Sequence, residues 1–347
     1  FFFFKQKTAY EISTRDWSSD VCSSDLNGHQ IEKLLAAHPR ARLVAVAAFG
    51  ERSIPDECGL VPSYATLDEL LADERVEMVS LCSPRRADQA ADAVKCLLAG
   101  RHVYGEKPSA LCEEDLDRII ATVEQTGCRY HEMGGVALEQ PYLAMRDCIR
   151  SGAIGEVVQV FVQKSYPWAD WRPKDEAIDG GLATQVGIYP LRFIEQVAGV
   201  QATSVEIRET RLGNNHSDSD CRRAVSMLMT LENGGVASAV CNYLNPSGHI
   251  VWGYEILRVF GTDGIVESSS LDGTARLLRP GAAPEPLAIS APAPSSLDLM
   301  IDSLLDGTPM PMSLTDELSP TRWVIRAHRK ESSSDRKSTR LNSSHEW

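Results

Sequence analysis

The run 102–111, HVYGEKPSAL, constrains this chain more than any other stretch of its length. A short apolar segment ends in Glu106-Lys107-Pro108, and helix-compatible sequence follows. Pro108 has no N–H to give to a ladder or a helix, so the chain must turn there. That turn holds Lys107 at the carboxyl end of a strand. In open α/β sheets this end faces the crevice in which ligands bind. The chain is therefore expected to carry such a sheet, with Lys107 on its ligand edge.

The flanking pattern supplies the rest of the sheet. Residues 42–49, RLVAVAAF, and 76–82, VEMVSLC, are apolar and rich in β-branched residues, as strands buried on both faces are. Amphipathic helices are predicted over 27–39 and 67–71, the second capped by Thr66. A helix over 88–98 closes at Gly100, another over 113–126 closes at Gly127, and 129–133 reads as a further strand. Strands alternating with helices predict a parallel, doubly wound sheet over 27–133.

After Gly134 the pattern changes. A helix near 141–151 leads to 155–164, GEVVQVFVQK, whose alternation reads as a half-buried strand. A tryptophan-rich loop over 166–174 precedes a helix over 181–198. Segments 223–231 and 236–243 flank Asn233-Gly234, a strong hairpin signal, and 254–260 and 265–268 flank the turn Thr262-Asp263-Gly264. Residues 280–294 read as a Pro/Ala-rich connector, and helices are predicted over 297–305 and 316–329. Residues 134–331 are thus expected to form an α+β domain with a mainly antiparallel sheet.

Composition excludes several classes. The net charge is −13 and no basic stripe offsets it, which argues against nucleic acid as a partner. No apolar run approaches the ~20 residues of a membrane-spanning helix. The nine cysteines include no C-x-x-C pair, which speaks against a zinc site or a disulfide framework and fits a reducing cytoplasm. No His/Asp spacing makes a metal site. Residues 1–26 and 332–347 are polar and aperiodic apart from the leading Phe run. They resemble translated sequencing-adapter read-through and are set aside as non-native tails.

Four motifs, in this order and spacing, carry a resemblance. They are Glu106-Lys107-Pro108, the ending Ser151-Gly152-Ala153-Ile154-Gly155, the doublet Gly180-Gly181 opening a helix, and Val259-Phe260-Gly261-Thr262-Asp263-Gly264. Together they resemble the glucose–fructose oxidoreductase, inositol dehydrogenase and rhizopine-catabolism (Gfo/Idh/MocA) family over about residues 27–328. The resemblance implies an N-terminal Rossmann domain for NAD or NADP. It also implies a C-terminal open-faced sheet that carries substrate and joins subunits into a homo-oligomer. Family members typically oxidise or reduce a secondary alcohol of a sugar, cyclitol or related polyol.

The resemblance assigns roles to particular residues. Lys107 would hold a substrate hydroxyl and favour the charged form of a neighbouring acid. Gln185 and Tyr189 lie four apart, on one face if helical, with Pro190 able to kink that helix. The family commonly has Asp and His at these two positions. Tyr189 still has an ionisable hydroxyl for proton transfer, whereas Gln185 can only orient a hydroxyl. A buried packing role for Tyr189 is the plainer reading. Ser83, Pro84, Glu106, Lys107 and Pro108 would line the cofactor. The first strand and glycine-rich phosphate turn are expected just before residue 27 and are not found there, leaving Gly28 as a remnant. Arg52 gives a mild lean to NADP, and the chain as written is expected to bind dinucleotide poorly. Trp168, Trp171 and Arg172 would form a wall for a polar ring, although the same residue types mark subunit contacts. Two other activities fit the same resemblance: a cofactor-binding sensor without turnover, and a glycosidase working through transient oxidation.

Overall fold

The computed structural model of the chain describes residues 31–48, 54–170, 172–248, 252–289 and 293–342, with side chains to Glu331. The chain divides into two compact units, one of residues 1–134 and 294–318, the other of 135–293 and 319–347. The segment 294–318, expected within the second domain, thus belongs to the first unit. Its hold there is polar as well as apolar. Tyr104 Oη and Ser296 Oγ share a buried hydrogen bond of 2.7 Å, and His38 meets Asp298 at 2.9 Å. Leu297, Met300 and Ile301 pack with Ile31, Leu43, Val46 and Met78.

Among the described residues, the first unit's strands are β1 (Val46–Ala47), β2 (Ser63–Tyr64), β3 (Met78–Leu81), β4 (His102–Gly105) and β5 (Tyr130–Glu132). All pair in parallel, β1 with β2 and β3–β4–β5 in a separate ladder. The strand expected over 42–49 is reduced to two paired residues because its partner is equally short, though 43–47 are all buried. Helices Gln89–Leu98 and Glu113–Thr126 supply the crossovers. Gly127 ends the second of these in the left-handed region that an L side chain resists. Thr66 caps Leu67–Leu71 through a reciprocal box with Glu69.

The second unit is built on an eight-stranded sheet. Its strands are β6 (Val157–Pro167), β7 (Ala202–Thr210), β8 (Ala224–Leu231), β9 (Val236–Asn245), β10 (Tyr254–Gly261), β11 (Ile265–Ser269), β12 (Thr274–Leu278) and β13 (Glu285–Pro286). The order is β13-β12-β11-β10-β6-β9-β8-β7, antiparallel except for β6 against β9. Asn233-Gly234 turns β8 into β9, and 262–264 turns β10 into β11. One face is covered by helices and holds Val160, Val162, Met227, Met229, Ala239, Leu257 and Val259. On the other face Leu228 and Leu244 stand exposed. The helix predicted over 181–198 is broken into Gly181–Val186, Ile188–Arg192 and a π-turn, Phe193–Ala198. Pro190 has no N–H for the Val186 carbonyl, and the Cys241 thiol reaches that carbonyl instead at 3.8 Å. The C-terminal helix runs from Leu314 to Asn342, past the point at which the tail was set aside. No helix among the described residues is long and apolar enough to cross a membrane.

Candidate functional site

In the first unit, the carboxyl ends of β3 and β4 are pinned by one side chain. Gln89, fully buried, donates from Nε2 to the carbonyls of Leu81 (3.0 Å) and Glu106 (3.1 Å). Its Oε1 accepts from the Ser83 amide and from Arg86. The Ser83 hydroxyl donates to Asp92 at 2.6 Å, while Pro84 and Arg85 are exposed beyond it. Arg86 is buried at 1% exposure beside Gln89.

Lys107 sits on a second buried network. Its own amide donates to Glu106 Oε1 at 2.9 Å, and Glu106 is buried. Pro108 is buried and Lys107 partly exposed. Behind the turn, the Ser109 amide and hydroxyl both donate to Glu132 at 2.7 Å, and Tyr130 donates to Ser109 Oγ at 2.7 Å. Gly105 leaves room for that tyrosine. A Cβ at 105 would lie 2.6 Å from Tyr130 Oη and 3.0 Å from Cζ. We therefore expect Gly105→Ala to cost about 1–3 kcal/mol by overpacking. Tyr130→Phe in that background should recover part of the loss, as read by denaturant unfolding of the four variants. Equal stability of Gly105→Ala and the parent would contradict the contact.

In the second unit, the helix-covered face of the sheet changes character at one end. Val160 and Val162 on β6 are followed, at the same parity, by Lys164, Tyr166 and Trp168. Across the ladder, Lys164 lies opposite Glu255 on β10 and Cys241 on β9. Lys164 and Glu255 form a buried ion pair, and the Tyr142 hydroxyl donates to the same carboxylate. Burial raises the Tyr142 hydroxyl's pKa, so it stays protonated as that donor. One row further on lie Tyr243 and Arg223, joined through the Tyr243 amide and the Arg223 carbonyl.

The helix opposite brings Tyr189 to this patch. Its ring lies 4.6 Å from the Lys164 ammonium, and the Tyr166 ring lies 5.2 Å from it. Tyr189 is 4% exposed and Gln185 6%. The Gln185 amide donates to the Asp179 carbonyl, and the Asp179 carboxylate accepts from the Gly181 amide at 2.8 Å. This turn explains the glycine doublet. Gly180 and Gly181 adopt φ of 92° and 84°, and a Cβ on Gly181 would press on the Glu176 carboxyl at 3.1 Å. Gln185 thus clasps the start of Gly181–Val186, the segment that leads into the helix carrying Tyr189.

The tryptophan-rich loop is drawn onto the same patch. Arg172 stacks 4.2 Å over Tyr243 and donates to its hydroxyl at 3.3 Å. Burial pushes the Tyr243 hydroxyl up to about 12, which leaves it protonated at neutral pH. Trp168 packs edge-on against Tyr243 and carries the Arg223 guanidinium 3.4 Å from its ring centroid. Trp168 and Arg172 therefore meet through Tyr243. Gly28, Arg52 and Trp171 lie outside the described residues.

Sequence reading missed Lys164, Glu255, Tyr142, Tyr243, Arg223 and Gln89. Only Lys164 left a signal, a lysine at the buried parity of an alternating strand. Among the described residues, no group of three His, Cys, Asp or Glu side chains is placed to hold a metal ion.

A parallel-sheet unit with Ser83, Pro84, Glu106 and Lys107 beyond the carboxyl ends of β3 and β4, followed by an open-faced sheet unit, defines a Rossmann-type two-unit protein. The chain belongs to the Gfo/Idh/MocA family. Residues 24–133 match the family's NAD-binding Rossmann fold and 142–267 its C-terminal domain. An uncharacterised oxidoreductase of Rhizobium meliloti is 29% identical over 50% of the chain and 54% of its own length. The chain thus spans about half the length of that relative. Inositol 2-dehydrogenase of Rhizobium meliloti is 25% identical over 69% of the chain and 71% of its own length. The aldose-aldose oxidoreductase of Caulobacter crescentus shares the fold at a TM-score of 0.69, with 22% identity over 84% of this chain and 90% of that one.

The first unit's edge suits a dinucleotide. Pro84 and Arg85 are exposed where β3 ends, and Ala48, at a φ of 48°, follows β1 directly. A small residue and an exposed cation at carboxyl strand ends are compatible with a phosphate-bearing ligand lying across them.

Proposed function

We propose that this chain is an NAD(P)-dependent oxidoreductase acting on a secondary alcohol of a sugar, cyclitol or related polyol. The observation that carries this reading is the buried Tyr189 ring with the Lys164 ammonium 4.6 Å from its centroid. The Tyr189 hydroxyl is the ionisable group that the helix brings to this patch, which suits it for exchanging a proton with an alcohol. Lys107 holds the substrate hydroxyl and stabilises it as it loses that proton. Gln185 positions the helix start through the Asp179 carbonyl. A bound nicotinamide supplies the hydride acceptor, or the donor in the reverse direction. Ser83, Pro84, Glu106 and Lys107 are the residues that would hold it, and Arg52 favours NADP. The inositol 2-dehydrogenase relative supports a polyol substrate. The exposed Leu228 and Leu244 on the outer sheet face support contact between copies.

The test is Lys107→Ala. Its side chain is partly exposed, so the variant should fold with unchanged stability. Oxidation of a polyol panel, followed by nicotinamide absorbance, should fall by roughly 10²-fold or more. Turnover equal to the parent would remove Lys107 from the reaction.

A further inference from the structure

Arg223 is 3% exposed, yet its Nε and Nη1 have no hydrogen-bond partner among the described residues. Among the described residues its guanidinium makes one hydrogen bond, from Nη2 to Asn214 Oδ1 at 3.4 Å. Its flat face is covered by Trp168 at 3.4 Å. The neighbouring charges do not answer it. Lys164 is matched by Glu255 and Arg222 by Glu176. Asp179 keeps a charge that reaches Tyr243, but it is not among the groups whose charges act chiefly on Arg223. Burial, and behind it repulsion from the next guanidinium, Arg172, pulls the Arg223 pKa down. A buried cation beside a second cation, with donors left over, is unfavourable unless an anion completes it.

We propose that the substrate of the second unit carries a carboxylate, as a hexuronate or hexonate does, and that Arg223 with Arg172 receives it. With its face on Trp168, Arg223 has only its edge left for a ligand. A planar carboxylate meets a guanidinium edge through two parallel hydrogen bonds. Arg172 lies over the rings of Tyr166 and Tyr243, and Tyr166 in turn faces the Lys164 ammonium that lies over Tyr189. The acid end and the alcohol to be oxidised would thus be held apart on one ligand. This inference takes its chemistry from the oxidoreductase reading, but its binding test does not depend on turnover.

The test is calorimetric binding of gluco-, galacto- and mannohexuronates and their hexonates, each beside its neutral hexose or polyol twin, to the full chain. At least one acid should bind about tenfold or more tighter than its twin. Arg223→Met should abolish that preference and leave neutral binding unchanged. Its Tm should hold or rise, because a buried unanswered cation has gone. Arg172→Met should weaken the preference in the same direction. Arg223→Gln reads the same quantities if Met disturbs folding. The proposal fails if no acid exceeds its twin, or if Arg223→Met keeps the preference. A fall in Tm with the preference intact would make Arg223 a clamp on Trp168 and overturn it as well. An acid preference without nicotinamide-linked turnover of that acid or of any polyol would instead sink the oxidoreductase reading alone.

Discussion

Tyr189→Phe should lower kcat by about 10²–10⁴-fold while leaving KM within a fewfold of the parent. The substitution removes one hydroxyl and nothing else from a ring that is 4% exposed. Packing against the core and the contact with the Lys164 ammonium both survive, since the cation faces the ring. Stability should therefore change by no more than about 1 kcal/mol, the scale of one lost hydrogen bond. A selective loss of kcat at constant stability marks a group that acts in the proton step rather than in binding. The pH–rate profile adds an independent reading. If Tyr189 is the base, its limb in kcat/KM should vanish from the residual activity of the Phe variant. Parent-like kcat would make Tyr189 a packing aromatic, the plainer of the two readings its sequence allows.

Local pattern made the architecture legible. Period-two strands, the Asn233-Gly234 turn and the Thr66 cap each act over a few residues, so the sequence around them is sufficient to read them. The candidate site was legible only where a residue type is unusual for its place. Lys107 beside a proline and the Gly180-Gly181 doublet stand out, and the doublet's two positive φ angles give the physical reason. The rest depends on register between distant strands. Lys164 gains meaning from Glu255 opposite it on β10, and Arg223 from the Trp168 ring below it. Neither pairing leaves a trace in the neighbouring sequence. The return of 294–318 to the first unit is hidden for the same reason, since its contacts with His38 and Tyr104 are remote in the chain. The helix over 181–198 shows the limit of a local rule. Pro190 predicts a disturbance, but the π-turn that follows and the Cys241 thiol at the Val186 carbonyl come from packing.

Lys164→Met should be the most destabilising single change among those considered, by about 3–5 kcal/mol. The cost comes from what remains rather than from what is lost. Glu255 would stay at 8% exposure with the Tyr142 hydroxyl as a neutral partner and no cation. An ionised carboxylate in that setting must be desolvated without compensation, or must take up a proton. Removing the charge at the same time should relieve most of the penalty. Lys164→Met with Glu255→Gln keeps an acceptor for Tyr142 and leaves no buried ion, so the double variant should regain most of the parent's stability. Thermal unfolding resolves this easily, because 1 kcal/mol corresponds to a shift of about 2–4 °C in a unit of this size. The double variant then isolates the catalytic part of the argument. It is folded but lacks both the ammonium that faces the Tyr189 ring and the carboxylate that balances it. The ascending limb of kcat/KM, where a base deprotonates, should be displaced from the parent's if this pair acts on Tyr189. A double variant with the parent's pH profile would confine Lys164 to holding the sheet together. A single Lys164→Met that loses less than about 1 kcal/mol would mean that the pair is screened by water, as a surface pair is.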